Sequence, residues 1–170
     1  FKGRLKKLKS KGKIEFRLAK KRDLPEIQRI AVKNMKLDRF HFDNRINNSI
    51  ARKIKIKWIK NYFNKKRGTH LFVSLKNKKI VGFCLIFFKI KEKLVIIDLI
   101  SVDKKFQTKG IGYQMFNSIN KFFKAKSLLF FVGSYQKNNK AINFYKKIGL
   151  SIYKKEYIYH YLKYSNETNY

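Results

Sequence analysis

The chain has 170 residues, enough for one domain that buries roughly 70% of its unfolded surface without a disulfide or metal to staple it. With 44% hydrophobic and 31% charged residues it is globular rather than disordered, and a single Cys excludes an internal disulfide framework and a Cys-based zinc site. The 43 Lys and Arg against 10 Asp and Glu leave a net charge of +33, which attracts anions, phosphate-bearing small molecules included. The basic residues are mostly Lys, spread along the whole chain and accompanied by many Asn, Ile, Phe and Tyr. Those residues share A/T-rich codons, so the charge reads as compositional before it reads as a nucleic-acid surface.

Residues 1–13 are basic, lack an initiator Met and are followed by no apolar stretch, so they read as a solvated tail and not as a secretory signal. Ile14 to Leu18 alternates apolar and polar residues, a strand pattern. A helix follows, with Asp23 as N-cap, Pro25 in its first turn, Glu26 closing a capping box, and Leu24, Ile27, Ile30, Ala31 and Met35 near helical spacing. Residues 38–45 break the pattern as a loop. A second helix is predicted from about Asn48 to Lys65, with Ile50, Ile54, Trp58, Ile59 and Phe63 on its apolar face.

The period then changes. Strands are predicted at His70 to Leu75, Ile80 to Ile90 and Leu94 to Val102, joined by tight turns into an antiparallel meander whose last member is buried on both faces. Helical spacing returns at Ile111, Met115, Ile119 and Phe122. A strand at Leu128 to Val132, a helix from about Asn139 to Lys147 stopped by Gly149, and a final strand at Tyr153 to Tyr161 complete the order β-α-α-β-β-β-α-β-α-β. The unit from 94 to 132 predicts a right-handed crossover between parallel strands. The expected fold is α/β, a mixed central sheet of antiparallel meander plus parallel β-α-β flanked by helices. Its bounds are 14–164, with 165–170 as a C-terminal tail. The longest apolar runs fall far short of the roughly 18 residues a membrane-spanning helix needs. A cytoplasmic protein without membrane insertion is expected.

Two motifs carry chemistry. Gln107-Thr108-Lys109-Gly110-Ile111-Gly112 follows the buried strand and opens a helix. A helix N-terminus offers unpaired N–H groups and partial positive charge, and glycines let a phosphate approach the backbone, so the segment can cradle a pyrophosphate. Downstream, Asn138, Ala141, Tyr145, Gly149 and Leu150 mark a helix on which Ala141 and Tyr145 share a face.

Together, in this order and spacing, the two motifs resemble those of the GNAT superfamily of acetyl-CoA-dependent N-acetyltransferases. The first matches its Q/R-x-x-G-x-G/A signature. The second matches N-x-x-A-x-x-L/F-Y-x-x-x-G-F, with Leu150 where Phe is usual. The resemblance implies that the backbone of Ile100, Ser101 and Val102 pairs with the pantetheine arm. It implies that the backbone of Gln107, Thr108, Lys109, Gly110, Ile111 and Gly112 holds the pyrophosphate, and that Asn138 binds the cofactor's arm. It also implies that Tyr145 protonates the departing thiolate. A phenol of pKa near 10 suits that task against a thiol near 8.5. Cys84, in an apolar strand, reads as a core thiol and not as an acyl carrier. No metal is expected.

The general base stays open between Asp98, His41 and a water relay. Asp98 is a carboxylate in an apolar strand and serves equally as amine anchor or as partner of a Lys. His41 is the other candidate, because an imidazole is the side chain best suited to act as a base near neutrality. Asp38-Arg39-Phe40-His41-Phe42-Asp43, with the Trp58 stretch, is similar to the acceptor side of amino-sugar acetyltransferases of the TDP-fucosamine acetyltransferase type. That resemblance implies acceptor contacts from Arg39, Phe40 and Asp98, with a nucleotide-linked amino sugar as acceptor. A homodimer is left open. A GNAT enzyme acting on a protein amine and a non-catalytic nucleic-acid-binding domain are the alternatives.

Overall fold

The computed structural model describes residues 1–8, 14–124 and 128–161. Six strands form one sheet: β1 (Lys2–Gly3), β2 (Glu15–Leu18), β3 (His70–Lys76), β4 (Lys79–Lys89), β5 (Leu94–Val102) and β6 (Leu129–Val132). The spatial order is β1-β6-β5-β4-β3-β2. Only β5 and β6 run parallel, and every other neighbouring pair is antiparallel. This is the mixed sheet expected from the sequence. The short turns at Asn77–Lys78 and 90–93 place left-handed backbone at Asn77, Lys78 and Lys93, as tight hairpins require.

Helices cover both faces. On one side lie α1 (Leu24–Asn34) and α2 (Asn48–Phe63), which bury Ile27, Ile30, Ala31, Ile59 and Tyr62 against Leu71, Val73, Phe83, Leu85 and Leu99. On the other lie α3 (Ile111–Phe122) and α4 (Asn139–Lys147), which bury Ile111, Met115, Phe116, Ile119 and Tyr145 against Phe72, Cys84, Ile86, Val95, Ile97 and Phe130. Phe72, Phe83, Phe116 and Phe130 are wholly buried. Burying each such ring contributes about 2–3 kcal/mol. No helix among the described residues is long and apolar enough to cross a membrane.

Four sequence expectations change. First, residues 1–8 are not a solvated tail, while 9–13 lie outside the described residues. Lys2 and Gly3 pair with Phe131 and Phe130 on one side, and Lys2 bridges Ser151 on the other. Phe1, Leu5 and Leu8 pack onto the core. Alternate apolar residues in a basic segment were enough to cap an open sheet edge. Second, Tyr153 to Tyr161 is not a strand: that edge of β6 is already taken, and Tyr157, Tyr159 and Tyr161 face solvent. The C-terminal tail at 165–170 lies outside the described residues.

Third, Asp23 occupies the N-cap position of α1 but makes no side-chain cap. Its carboxylate instead takes Arg17 Nη1 at 2.7 Å and the Lys20 N–H at 2.7 Å, while Glu26 turns to Arg29. Fourth, the buried line of α2 runs through Ala51, Lys55, Ile59 and Tyr62, while Ile50 is exposed.

Gly149 holds φ +103°, and a Cβ there would meet Arg4 O and Lys6 N at 2.9 Å. Gly149→Ala is therefore expected to cost about 1–3 kcal/mol, read as a lower urea midpoint with unchanged slope. Arg17 holds the Asp23 carboxyl below its ordinary value of 3.8. Its contribution is complete above that value and is lost as pH falls through the lower, folded value. The stability gap between Asp23→Asn and wild type should accordingly be widest near neutrality and shrink below about pH 3.8, read by urea titrations across pH.

Candidate active site

β5 and β6 are paired only from Leu94↔Leu129 to Ile97↔Val132. Beyond that, β6 ends while β5 runs on to Val102, still held by β4 through Gly82↔Val102. The β6-facing edge of Asp98 to Val102 therefore meets no strand among the described residues, and its backbone groups border a gap. A bulge sits at the fork. Leu85 opposes Leu99 and Ile86 opposes Ile97, which leaves Asp98 as the extra residue of β5. Consequently Asp98 and Leu99 both turn to the α1/α2 face, whereas Ile97 and Ile100 serve the α3/α4 face.

Ile100, Ser101 and Val102, the expected cofactor-pairing residues, lie on that free edge. Val102 is partly engaged already: its carbonyl accepts from Asn34 Nδ2 at 3.0 Å and Gln107 Nε2 at 2.9 Å. Asn34 also reaches Ser101 Oγ at 3.4 Å. So the Gln107 side chain braces the loop and leaves only its backbone for a ligand. Thr108 and Gly110 both hold positive φ, +64° and +76°. Left-handed residues interspersed at a helix start turn successive N–H groups into a concavity that suits anions. Lys104 and Lys105 flank this turn, and Lys109 donates from Nζ to Lys105 O at 3.2 Å.

The two glycines of the motif do different work. Gly110 has open space where a Cβ would lie, so the backbone angle requires it. At Gly112 a Cβ would meet the Phe144 ring at 2.9 Å, so this glycine lets α3 and α4 pack. The cradle is also tied to α1. Arg29 Nη2 donates to Asp103 Oδ2 at 2.5 Å, and Asp103 Oδ1 accepts the Lys105 N–H. A free strand edge running into a helix N-terminus ringed by lysines fits a ligand with an amide-bearing arm and a pyrophosphate.

Tyr145 is 5% exposed and packs among Phe1, Phe116 and Phe144. Burial raises its proton affinity, with a smaller contribution from Cys84, so the phenol stays protonated. Cys84 is wholly buried, and desolvation pushes its thiol up as well. Asn138 caps α4 by accepting the Ala141 N–H at 3.3 Å.

The other side of the fork is crowded with charge. Asp98 accepts from Arg67 Nε and Nη2, both at 2.7 Å, and from the Tyr62 hydroxyl at 3.0 Å. Its partner is thus an arginine, where the sequence suggested a lysine. The Arg67 guanidinium lies over the Trp58 ring at 4.4 Å, and the Lys55 ammonium lies over the same ring at 4.8 Å and over Phe40 at 5.1 Å. Asp38 organises the loop. Its Oδ1 accepts the Phe40 and His41 N–H groups, and its Oδ2 accepts His41 Nδ1 at 2.9 Å and faces Lys55 Nζ at 3.4 Å.

Arg39 lies on Phe40 at 4.7 Å. Phe40 in turn stacks on His160 at 5.3 Å, and His160 Nδ1 donates to Asp43 Oδ2 at 2.8 Å. Arg39, Phe40 and His41 are thereby linked to Asp98 through Trp58 and Arg67. Sequence reasoning missed Lys55, Arg67, Tyr62 and His160. Only Lys55 left a signal: it sits four residues from both Ala51 and Ile59, inside an otherwise apolar line.

Comparison with known proteins bears on this arrangement. The family model described as acetyltransferase (GNAT) family matches residues 31–150. No curated protein matches the chain. Among solved structures, a possible acetyltransferase from Clostridium difficile 630 superposes with a TM-score of 0.63 at 19% identity, covering 88% of this chain and 99% of that one. The PaiA N-acetyltransferase from Thermoplasma acidophilum, solved with coenzyme A, gives 0.63 at 15% identity over 85% and 94%. An aminoglycoside acetyltransferase from an uncultured soil metagenomic sample gives 0.57 at 19% over 88% and 97%. These three likenesses show the fold.

Asp98→Asn leaves the half-buried Arg67 without its counter-ion. With solvent screening of the partly exposed guanidinium taken into account, the expected loss is about 1–3 kcal/mol, measured by urea denaturation, with altered Trp58 fluorescence.

Proposed function

The chain belongs to the GNAT acetyltransferase family, whose members move an acetyl group from acetyl-CoA to an amine, and from that premise we propose that its acceptor is the amine of a nucleotide-linked amino sugar. One observation carries the acceptor assignment. Arg39 is half-buried, its guanidinium carbon stands 4.7 Å from the Phe40 ring centre, and it pairs with no carboxylate among the described residues. A guanidinium held this way offers a planar fork to a phosphate oxygen pair. Arg45, by contrast, is committed to Asp43 and to the His160 carbonyl.

Acetyl-CoA supplies the activated thioester when bound. Its arm fits along Ile100, Ser101 and Val102, and its pyrophosphate fits the backbone from Gln107 to Gly112. The chain's residues then divide the proton work. Asp38 fixes the Nδ1–H of His41, which leaves the Nε2 lone pair to take the acceptor amine's proton. Asp98, saturated by Arg67 and Tyr62, holds the acceptor-side wall in place. As the N–C bond forms and the C–S bond breaks, negative charge collects on sulfur. Tyr145 donates its hydroxyl proton there. Desolvation raises the proton affinity of both phenol and thiolate in such a slot, so the transfer remains feasible.

Tyr145→Phe is expected to lower kcat about a hundredfold or more, with the KM for acetyl-CoA within threefold of wild type. Release of CoA thiol in the presence of a TDP-linked 4-amino-4,6-dideoxy sugar reads it. Arg39→Ala should raise the KM for that acceptor about tenfold while sparing kcat. Equal turnover of a lysine peptide and the nucleotide sugar by the wild type would overturn the acceptor assignment.

A further inference from the structure

Lys55 is the only lysine buried among the described residues, and its side chain is 6% exposed. A buried ammonium needs partners for its three donors, and among the described residues Lys55 has one ion-pair partner. Its carboxylate partner, Asp38 Oδ2, stands at 3.4 Å, beyond the 2.7–2.9 Å or so of a charge-assisted hydrogen bond, and it is shared with His41 at 2.9 Å. The remaining neighbours are ring faces, Phe40 and Trp58. Desolvation outweighs the attraction of Asp38, and the ammonium's proton affinity falls below its ordinary value. Arg39 stands near enough to weaken it further, while Asp98 opposes that from β5.

Three cations, Lys55, Arg39 and Arg67, thus converge on the Phe40–Trp58 ring pair against two carboxylates, Asp38 and Asp98. The cluster holds a surplus of positive charge, and the one carboxylate paired with its ammonium is long and shared. We propose that Lys55 determines acceptor specificity: its ammonium donates a hydrogen bond to an oxygen of an anionic group on the acceptor, and it excludes acceptors that bring further positive charge. This rests on the nucleotide-sugar reading above and adds the residue that enforces it. Anion binding would supply a closer, unshared hydrogen-bond partner. A polyamine would instead place another cation beside three that are already crowded.

The chain contains a single Trp, and it is Trp58, so intrinsic indole fluorescence reports this cluster without any need for turnover. The test titrates wild type, Lys55→Met and Lys55→Arg with thymidine diphosphate, thymidine and spermidine. Saturating CoA fills the pyrophosphate cradle, and about 0.15 M salt screens the general surface charge. The expected result is saturable binding of thymidine diphosphate to wild type, with at least tenfold weaker binding of thymidine and spermidine. Lys55→Met should weaken the diphosphate at least tenfold and narrow its advantage over spermidine, whereas Lys55→Arg should stay within threefold.

Equal diphosphate affinity in wild type and Lys55→Met would overturn the proposal, as would spermidine binding as tightly as the diphosphate. A wild type that ignores thymidine diphosphate also overturns it. Thiol release with the TDP-linked amino sugar, measured on the same preparations, shows separately whether the acceptor reading survives.

Discussion

Two parallel strands that pair for four residues and then part leave a row of backbone donors and acceptors facing a gap. Inside a sheet such groups would be costly to leave unmatched. Here they are kept in line by β4 on their far side, and the gap becomes a place where an extended, amide-bearing ligand can complete the ladder. The parting is built in at one residue. Because Asp98 is an extra member of β5, the strand changes which residues face which helices at that point, and its last residues are carried to the start of α3. The fork lies at that irregularity, where the pairing with β6 ends at Ile97.

The α1/α2 side of the fork obeys a different constraint. Its charged groups sit in apolar surroundings, where each ion needs a partner. The structure answers with short chains of contacts, Asp98 to Arg67 to Trp58 and His41 to Asp38 to Lys55, in which aromatic faces stand in for counter-ions. Such chains bind three separate pieces of sequence, the loop at 38–46, the helix α2 and the strand β5, into one wall. The extended C-terminal segment joins them through His160 on Asp43 and Phe40.

Much of this was legible beforehand where local chemistry and fold agree. The bounds of β5 and α4 coincide with the expected ones because apolar runs and Gly stops mark them, and the 107–112 motif falls at a helix N-terminus as its glycines suggested. Three features were hidden for physical reasons. The pairing of residues 1–3 with β6 depends on a contact across the whole chain, which no local pattern records. Lys55 drew no notice because a lysine's charge argues for exposure, and its burial rests on Asp38 and on rings contributed by the loop and its own helix. Gly112 was read as room for a phosphate, but its real neighbour is Phe144, thirty-two residues away in sequence.

Cys84 gives the molecule a useful silence. The chain's one sulfhydryl lies wholly inside the sheet–helix interface, where desolvation also disfavours the reactive thiolate. A disulfide reagent added to the native protein therefore sees only sulfhydryls set free by turnover, with no background from the catalyst itself. Once the fold opens, the same reagent finds one equivalent per chain. One colorimetric readout thus counts chemical events while the protein is intact and counts molecules when it is not.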